Sequence, residues 1–400
     1  DAYNVAIGDN AGANVTTGIQ NTLIGGLAGD ATTTGINNVA VGYAALSTNT
    51  TASDNTAVGR TALFTNTTGT NLTATGKDAL LLNTTGSDST AVGKGSMRAN
   101  TTGANNVGIG SSALAANTTA AQNTAVGMSA LLSTTTGANN TGMGTYAMRA
   151  NTTGAQCTAF GAEALKENID GVDNVAVGYK ALISVTSESR NLGIGTQAGG
   201  SINTGPNNVC VGFQAGFYDT AITTGSENVM LGNYCHTSAA DSAFQLAVGF
   251  NVACTGNNNF TFGNAATDSN IAFGATSITA PSDERYKEEI ETSTAGLAFI
   301  KDLRPVTFKW KKEKDVPSGH NAYVEGSDTR VMNSSGETNH GFIAQEVKAA
   351  IDNHSELKDG FDMWSEQGSG GRQRLGPSSL IPMLVKAIQE LEARVATLEG

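Results

Sequence analysis

NTAVGRTALFTNTTG (Asn55–Gly69) is one unit of a repeat that fills the chain from about residue 4 to residue 275. The glycine that ends its NTAVG segment recurs every 17 residues, at Gly8, Gly25, Gly42, Gly59, Gly76, Gly93, Gly110, Gly127, Gly144, Gly161, Gly178, Gly195 and Gly212. Gly232, Gly249, Gly263 and Gly274 follow at steps of 20, 17, 14 and 11 residues. A fixed period of this length indicates a fold of stacked repeats.

The residues before each repeat glycine alternate as expected of a β-strand. Apolar or β-branched side chains stand one and three residues before it, as Val58 and Thr56 do, with a small residue such as Ala57 between them. The residues one and three positions before the glycine lie on the same face of a strand. On the other face the small residue lets another backbone approach. This pattern favours a three-fold bundle of chains but leaves a single-chain solenoid open.

Asn dominates the position four residues before the glycine, as at Asn38 and Asn55. Stacked amides hydrogen-bond along an axis, and Asn tolerates turn conformations. Thr-Thr-Gly segments predict corners at which glycine supplies a positive φ. About 16 coils stacked at ~4.8 Å would form a rod about 75 Å long. We therefore predict an all-β repeat solenoid, a parallel β-roll of 17-residue coils assembled as a trimer.

Threonine-rich corners have two other interpretations. Asn-Thr-Thr triplets match the glycosylation sequon and begin at Asn49, Asn66, Asn83, Asn100, Asn117 and Asn151. Repetition of a turn unit explains them better. A flat threonine face would suit ice binding, but here threonine falls at corners and within strands.

Charge separates the chain into parts. Residues 1–275 hold 8 of the 23 Lys and Arg residues and 15 of the 35 Asp and Glu residues, so the last 125 residues are much richer in charge. We predict a shaft over residues 1–275, a linker over 276–281 and an α+β domain over 282–400. The net charge of −12 argues against nucleic-acid binding, and no apolar run is long enough for membrane insertion.

Four cysteines, Cys157, Cys210, Cys235 and Cys254, show no metal-binding spacing, so we expect small reduced core residues, with no metal and no cofactor. The chain starts at Asp1 inside a repeat. We therefore expect a preceding attachment segment.

The repeat resembles the left-handed parallel β-roll heads of trimeric autotransporter adhesins and the repeat shafts of phage fibres, although those heads typically use shorter units. The resemblance covers roughly residues 4–275. The irregular coils from Phe213 to Gly274 are the expected place for specialised contacts, because regular coils offer a uniform wall.

Four later segments carry a more specific resemblance. They are SDERYKEEIE (Ser282–Glu291), LRPVTFKWKKE (Leu303–Glu313), NHGFIAQEVKAAI (Asn339–Ile351) and SSLIPMLVKAIQELEARVATLEG (Ser378–Gly400). In this order they resemble the endosialidase-type intramolecular chaperone, a self-releasing serine peptidase domain. It ends phage tailspikes, tail fibres and neck appendages, and it also occurs in a membrane-bound transcription factor family.

The opening segment supplies a nucleophile and a base. A serine hydroxyl reacts when a neighbouring base takes its proton, and a desolvated lysine serves as such a base. The resemblance implies that Ser282 is the nucleophile and Lys287 the base, with Asp283 and Arg285 orienting them. We expect cleavage between Pro281 and Ser282. The alternative is that Ser282 only caps a helix predicted over Asp283–Ile290. His340 stands beside the GFIAQEV segment without an assigned role.

The last segment has a heptad pattern and is predicted to form a coiled coil over 379–400, with Ser379 as N-cap. Its seam consists of Ile381, Leu384, Ile388, Leu391, Val395 and Leu398. The same stripe would also suit a surface helix packed on a globular core. Mixed Ile and Leu on the seam permits a trimer.

Together these resemblances imply the distal segment of a phage tail fibre or tailspike, a virion component assembled in the host cytoplasm. The expected partners are two further copies, forming a homotrimer, and a host-surface glycan or protein receptor. Other virion tail proteins would bind through the preceding attachment segment. The terminal domain would drive trimerisation and then release itself. The alternatives are a glycan-depolymerising tailspike and a trimeric bacterial surface adhesin.

Overall fold

The computed structural model describes residues 3–275, 278–279, 282, 284–320, 322–332, 336–357, 361, 363–366 and 373–399. The chain divides into two compact units, Asp1–Ser282 and Asp283–Gly400.

The first unit is a parallel β-solenoid in which each coil contributes one strand, which confirms the predicted solenoid of 17-residue coils. The strands are β1 (Val5–Ile7), β2 (Thr22–Ile24), β3 (Val39–Val41), β4 (Thr56–Val58), β5 (Thr73–Thr75), β6 (Thr90–Val92), β7 (Val107–Ile109), β8 (Thr124–Val126), β9 (Thr141–Met143), β10 (Thr158–Phe160), β11 (Val175–Val177), β12 (Leu192–Ile194), β13 (Val209–Val211), β14 (Val229–Leu231), β15 (Gln245–Phe250) and β16 (Asn259–Asn264). Each strand pairs in parallel with the next one along the chain.

The sheet ends differently from the repeat pattern. The step from Gly263 to Gly274 is only 11 residues, too short for another coil of this size. The chain instead turns back after a 3-10 turn (Ala265–Thr267), and β17 (Ser269–Ala272) pairs antiparallel with β16. An antiparallel strand therefore closes this end of the parallel stack and covers its edge.

Two columns of side chains fill the interior of each coil. The middle strand residue, such as Ala57, and the residue four after the repeat glycine, such as Leu63, are both 0% exposed. At Gly193 an added Cβ would lie 2.7 Å from Cγ of Leu182 and 2.8 Å from the carbonyl oxygen of Ala198. The backbone that approaches the small column thus belongs to the same chain. Our assignment of this column to contacts within a three-fold bundle was wrong, because the solenoid itself uses that space.

Glycine serves two different purposes. At the end of β4, Gly59 has a φ of 130°, and an added Cβ would lie 2.7 Å from the carbonyl carbon of Gly76 in the next coil. At the Thr-Thr-Gly corner, Gly69 lacks the predicted positive φ, but an added Cβ would lie 2.3 Å from the carbonyl oxygen of Gly86. The left-handed residue comes two positions later, at Asn71 with a φ of 57°. Close approach of the next coil therefore explains the corner glycine.

Asparagines four residues before the repeat glycines form a first Asn ladder along the solenoid. The backbone N–H of Asn55 donates to Oδ1 of Asn38 at 3.1 Å, and that of Asn38 donates to Oδ1 of Asn21 at 3.0 Å. The Nδ2 of Asn38 donates at 3.0 Å to the carbonyl oxygen of Ala52. All three side chains are 0% exposed. Each amide therefore joins one coil to the next and also closes its own coil.

A second Asn ladder consists of the asparagines of the Asn-Thr-Thr triplets. Nδ2 of Asn100 donates to Oδ1 of Asn83 at 2.7 Å and to the carbonyl oxygen of Gly103 at 3.0 Å. The six triplet asparagines named above are 0% exposed. A glycan has no room on a buried amide, so the interpretation as a turn unit is confirmed.

The outward side of the sheet is an apolar strip, defined as the first and third residues of β1–β14 and Leu246, Val248, Phe260 and Phe262 of the last two strands. Every residue of the strip is Val, Ile, Leu, Met, Phe or Thr. They are half-buried or exposed, and Phe160 and Ile109 are 51% and 40% exposed. Charged side chains are absent from this strip, all of which the structure describes. A strip of this length is unusual on a solitary soluble chain.

The cysteines are free and buried. Cys157 stands at an Asn position of the first ladder. Its backbone N–H still donates to Oδ1 of Asn140 at 3.0 Å, as the N–H of an asparagine at this position does. Burial raises the pKa of the Cys157 thiol to about 11 and that of Cys210 to about 12. Both thiols therefore stay protonated and behave as small core side chains.

The second unit is a small α+β fold. Its described elements are α1 (Leu297–Asp302), β18 (Val306–Phe308), β19 (Asn339–Gly341), α2 (Ala344–Asn353), β20 (Trp364–Glu366), β21 (Gln373–Leu375) and α3 (Ile381–Glu399), with 3-10 turns at Glu284–Tyr286, Glu313–Asp315 and Pro377–Leu380. Strands β18 and β19 pair antiparallel, as do β20 and β21. Phe299, Val347 and Met363 are in its core. None of the described helices has the length and apolar character needed to cross a membrane.

Thr134 interrupts the second Asn ladder, and we predict that Thr134→Asn stabilises the solenoid. Among the described residues, the buried Oδ1 of Asn117 has no hydrogen-bond partner at this interruption. An added amide would donate to it, with a gain of about 1 kcal/mol. The midpoint of solenoid unfolding in guanidinium chloride measures this gain. Thr136→Asn, on an exposed corner residue, is the control and should leave the midpoint unchanged. An unchanged or lower midpoint for Thr134→Asn would contradict the ladder account.

Candidate functional site

Ser282 is exposed and stands at the boundary between the two units. The 3-10 turn at Glu284–Tyr286 follows it, and the backbone N–H of Lys287 donates to the carbonyl oxygen of Glu284 at 3.0 Å. Ser282 and Lys287 therefore lie on either side of one short turn. Lys287 is exposed as well. Pro281 and Asp283, which we predicted at the cleaved bond and beside the nucleophile, lie outside the described residues.

The helix predicted over Asp283–Ile290 was wrong. The described helical residues are those of the 3-10 turn, and residues 287–290 are not helical. Side chains from Lys287 to Glu291 are exposed, so this segment has no packed face. Isolated helices of this length are marginal in water without tertiary packing.

A close contact between α1 and α3 organises the second unit. The backbone N–H of Leu297, in the first turn of α1, donates to Oε2 of Glu390 on α3 at 2.9 Å. An added Cβ at Gly296 would lie 2.7 Å from Oε1 of that Glu and 2.7 Å from Cγ of Lys386. Glu390 thus satisfies a free N–H at the positive end of α1. Our reading of the sequence missed this contact, because a glutamate 93 residues away in sequence carries no local capping signal.

Charged pairs connect the other elements of the unit. The guanidinium of Arg304, just before β18, donates through Nε and Nη2 to the carboxylate of Glu346 on α2. His340 is an exposed residue of β19 opposite Thr307 of β18. The structure thus places His340 on this strand pair.

His354 joins the ends of two helices. Its Nε2 lies 2.8 Å from Oδ2 of Asp302, the last residue of α1, and its Nδ1 lies 3.1 Å from Oε1 of Glu356. Its ring also meets the buried ring of Phe299 edge-on, with centroids 5.4 Å apart. The hydrogen bond to Asp302 is the main cause that raises the pKa of His354 above its ordinary value.

The apolar seam of α3 faces solvent in the single chain. The exposed fractions of its six residues are 60% for Ile381, 43% for Leu384, 65% for Ile388, 47% for Leu391, 49% for Val395 and 87% for Leu398. The alternative of a surface helix with this stripe on the core was therefore wrong. The helix begins at Ile381, and Ser379 lies within the preceding 3-10 turn instead of capping the helix. An apolar seam that faces solvent in the single chain is typical of a helix that associates with other helices.

The fold and these surfaces define a β-solenoid protein with a separate α+β unit at its C-terminal end. Residues 282–356 match the model of a peptidase family described as the chaperone of endosialidase. The match begins at Ser282 and includes α1, β18, β19 and α2. The C-terminal unit therefore contains a domain of the endosialidase-chaperone type. Searches of curated proteins and of solved structures found no match to this chain.

We predict that the C-terminal unit loses stability as the pH rises above about 6.5, the ordinary pKa of histidine. The raised pKa of His354 means that its protonated form is favoured by folding. This contribution is fully present below the ordinary pKa of 6.5 and disappears as the pH rises through the folded-state value. Urea unfolding of the full chain at several pH values measures it.

His354→Gln should remove this part of the pH dependence. The control His320→Gln changes an exposed histidine of the same unit and should leave the dependence intact. An identical pH profile for the parent and His354→Gln would show that the contacts of His354 do not contribute.

Proposed function

We propose that this chain is the distal segment of a phage tail fibre or tailspike that attaches the virion to its host. Three copies assemble through the C-terminal unit, which then releases itself by serine autoproteolysis. The observation that carries the proposal is the family match, which begins at the predicted nucleophile Ser282. That residue also ends the first compact unit, so cleavage beside it falls at the boundary between the shaft and the C-terminal unit.

Two surfaces support the assembly of identical chains. The seam of α3 is apolar and exposed, and three heptads repeat along it. The apolar strip of the shaft repeats with the spacing of the coils and lacks charged residues over its described length. Another copy of the same solenoid offers an apolar surface of the same repeat and length. We therefore expect the strips of three chains to face one another.

The proposed cleavage is an acyl transfer followed by hydrolysis. Lys287 takes the proton of the Ser282 hydroxyl as Oγ attacks the carbonyl carbon of Pro281. The C–N bond to Ser282 breaks, the amine of Ser282 receives the proton, and an ester joins Pro281 to Oγ. Water then hydrolyses the ester and leaves a carboxylate on Pro281 and a free hydroxyl on Ser282.

Exposure of Lys287 suggests how release would follow assembly. A lysine acts as a general base once water is removed from its amine. Lys287 is exposed in the single chain. In this proposal a neighbouring copy covers the turn, so that the base becomes active after three chains have met.

We predict that Ser282→Ala prevents cleavage. The parent should yield fragments of residues 1–281 and 282–400 by intact mass and denaturing gel, and the variant should remain whole because it lacks the attacking hydroxyl. Lys287→Arg should also remain whole, since a guanidinium keeps its proton. The control Ser355→Ala alters an exposed serine of the same unit and should cleave like the parent. Cleavage of Ser282→Ala at the same bond would refute the proposed nucleophile.

We predict that Ile388→Asp, a change on the seam of α3, converts trimers into monomers in the uncleaved Ser282→Ala background. Three carboxylates would otherwise meet inside an apolar interface. Sedimentation velocity measures the change. Ile388 is 65% exposed, so the single-chain fold should survive, and far-ultraviolet circular dichroism checks this. Glu392→Asp, on the same exposed helix and off the seam, is the control. Trimers of Ile388→Asp would contradict assembly through this seam.

A further inference from the structure

The coil between Gly212 and Gly232 is three residues longer than a regular coil and carries a group of aromatic rings. Tyr234 lies at the centre of this group. Its ring centroid is 5.3 Å from that of Phe213, 4.7 Å from that of Tyr218 and 5.8 Å from that of Phe250. These four residues, named here the aromatic platform, come from three successive coils.

The platform is open to solvent. Phe213, Tyr218 and Phe250 are 40%, 43% and 50% exposed. Their rings meet edge to face, at interplanar angles of 81° and 88° for Phe213 and Phe250 against Tyr234. Edge-to-face packing fixes the rings against one another and leaves ring surface exposed. The platform is therefore an ordered surface for an apolar face of a ligand.

A polar pair borders the rings. Asp219 follows Tyr218, and its carboxylate is 71% exposed. Oδ2 of Asp219 lies 3.6 Å from Nε2 of His236, a residue that is only 7% exposed. Nδ1 of that histidine donates to the carbonyl oxygen of Tyr234 at 3.0 Å, so the imidazole is held in place from the platform side. The carboxylate thus presents hydrogen-bond acceptors beside the rings.

The charge around the platform restricts the ligand. Lys and Arg are absent from the sequence between Asn191 and Glu284, whereas Asp219, Glu227 and Asp241 fall within it. Within this stretch a sialic or uronic acid would meet carboxylates and no lysine or arginine, so its own charge would be repelled. A neutral sugar meets no such repulsion, and its hydroxyls can donate to Asp219.

We propose that the aromatic platform and Asp219 form a binding site for a neutral cell-surface glycan. The C–H groups on one face of a sugar ring pack against the negative faces of the aromatic rings. A pair of neighbouring hydroxyls donates to the carboxylate of Asp219. This inference rests on the proposed function and names the receptor class that the shaft recognises.

The regular coils offer contrasting aromatic residues. Tyr43 and Tyr179 follow repeat glycines, as Phe213 and Phe250 do, and are 56% and 47% exposed. Tyr179 makes its described ring contact with Lys180, whose Nζ is 5.0 Å from the ring centroid. Single exposed aromatic rings therefore recur along the shaft. The aromatic platform differs from them, because its rings contact one another and a carboxylate, that of Asp219, lies beside them.

The test applies the full-length protein to a printed array of purified neutral and acidic bacterial surface polysaccharides. Titration calorimetry with the strongest neutral ligand then compares variants. Tyr218→Ala, Phe250→Ala and Asp219→Ala should each weaken binding by about tenfold. Tyr218→Phe keeps the ring and Tyr179→Ala removes an isolated ring, so both should bind within about twofold of the parent.

Native mass and fragment mass are measured on the same samples. A variant that assembles and cleaves like the parent but loses the glycan supports the site. Parent protein that binds only acidic polysaccharides or none, or platform variants that bind like the parent, would overturn it. Loss of assembly in Tyr218→Ala and Phe250→Ala would also overturn it, because the rings would then cover a neighbouring copy. Failure of the parent itself to assemble or cleave counts against the proposed function instead.

Discussion

Hydrogen bonds of buried asparagines join successive coils along most of the shaft, and these bonds hold the coils in register. A buried amide without partners costs about 1–3 kcal/mol, so a shift of one residue along a coil would be expensive. In the first Asn ladder, Oδ1 of Asn38 accepts from the next coil while Nδ2 closes its own coil. Because the 17-residue period is fixed in this way, side chains of the same kind line up in columns on the outside as well. The apolar strip and the aromatic platform both follow from that alignment.

Several features of the fold were accessible from the sequence because they depend on periodicity. Strand alternation and the Asn column predicted the solenoid, the inter-coil hydrogen bonds and the apolar face. Periodicity does not reveal which face is inside, however. The alternation of Thr56, Ala57 and Val58 suits either assignment, and the larger residues lie outside because Leu63 already fills the narrow interior. That Leu has a φ of 51°, a conformation that sequence reasoning reserves for Gly, Asn or Asp.

The C-terminal unit was predictable to a different degree. The heptad pattern predicted the helix α3 itself, because each seam residue contributes independently to the pattern. The contacts of Glu390 with α1 and of His354 with Asp302 join residues far apart in sequence, so a local sequence pattern cannot predict them. The short turn after Ser282 was missed because its acidic residues imitate a helix start, whereas the residues that follow it, 287–291, are exposed and not helical.

A uniform strip creates a problem for assembly that the C-terminal unit would solve. Two shafts displaced by one whole coil would still place Val and Thr columns against each other, so the strip specifies length better than axial register. The seam of α3 stands at one end of the chain and repeats only three times, so it allows fewer alignments. In this account the seam aligns three chains first, and cleavage afterwards leaves the shaft kinetically trapped without the unit that aligned it.

The most direct test of this account is the native mass of the shaft after the C-terminal unit has been released. Sedimentation equilibrium on the purified fragment of residues 1–281 should give three copies per particle, since the apolar strips would remain buried against one another. A monomeric fragment that keeps its β-structure would contradict the account, because the strips would then not hold three assembled shafts together.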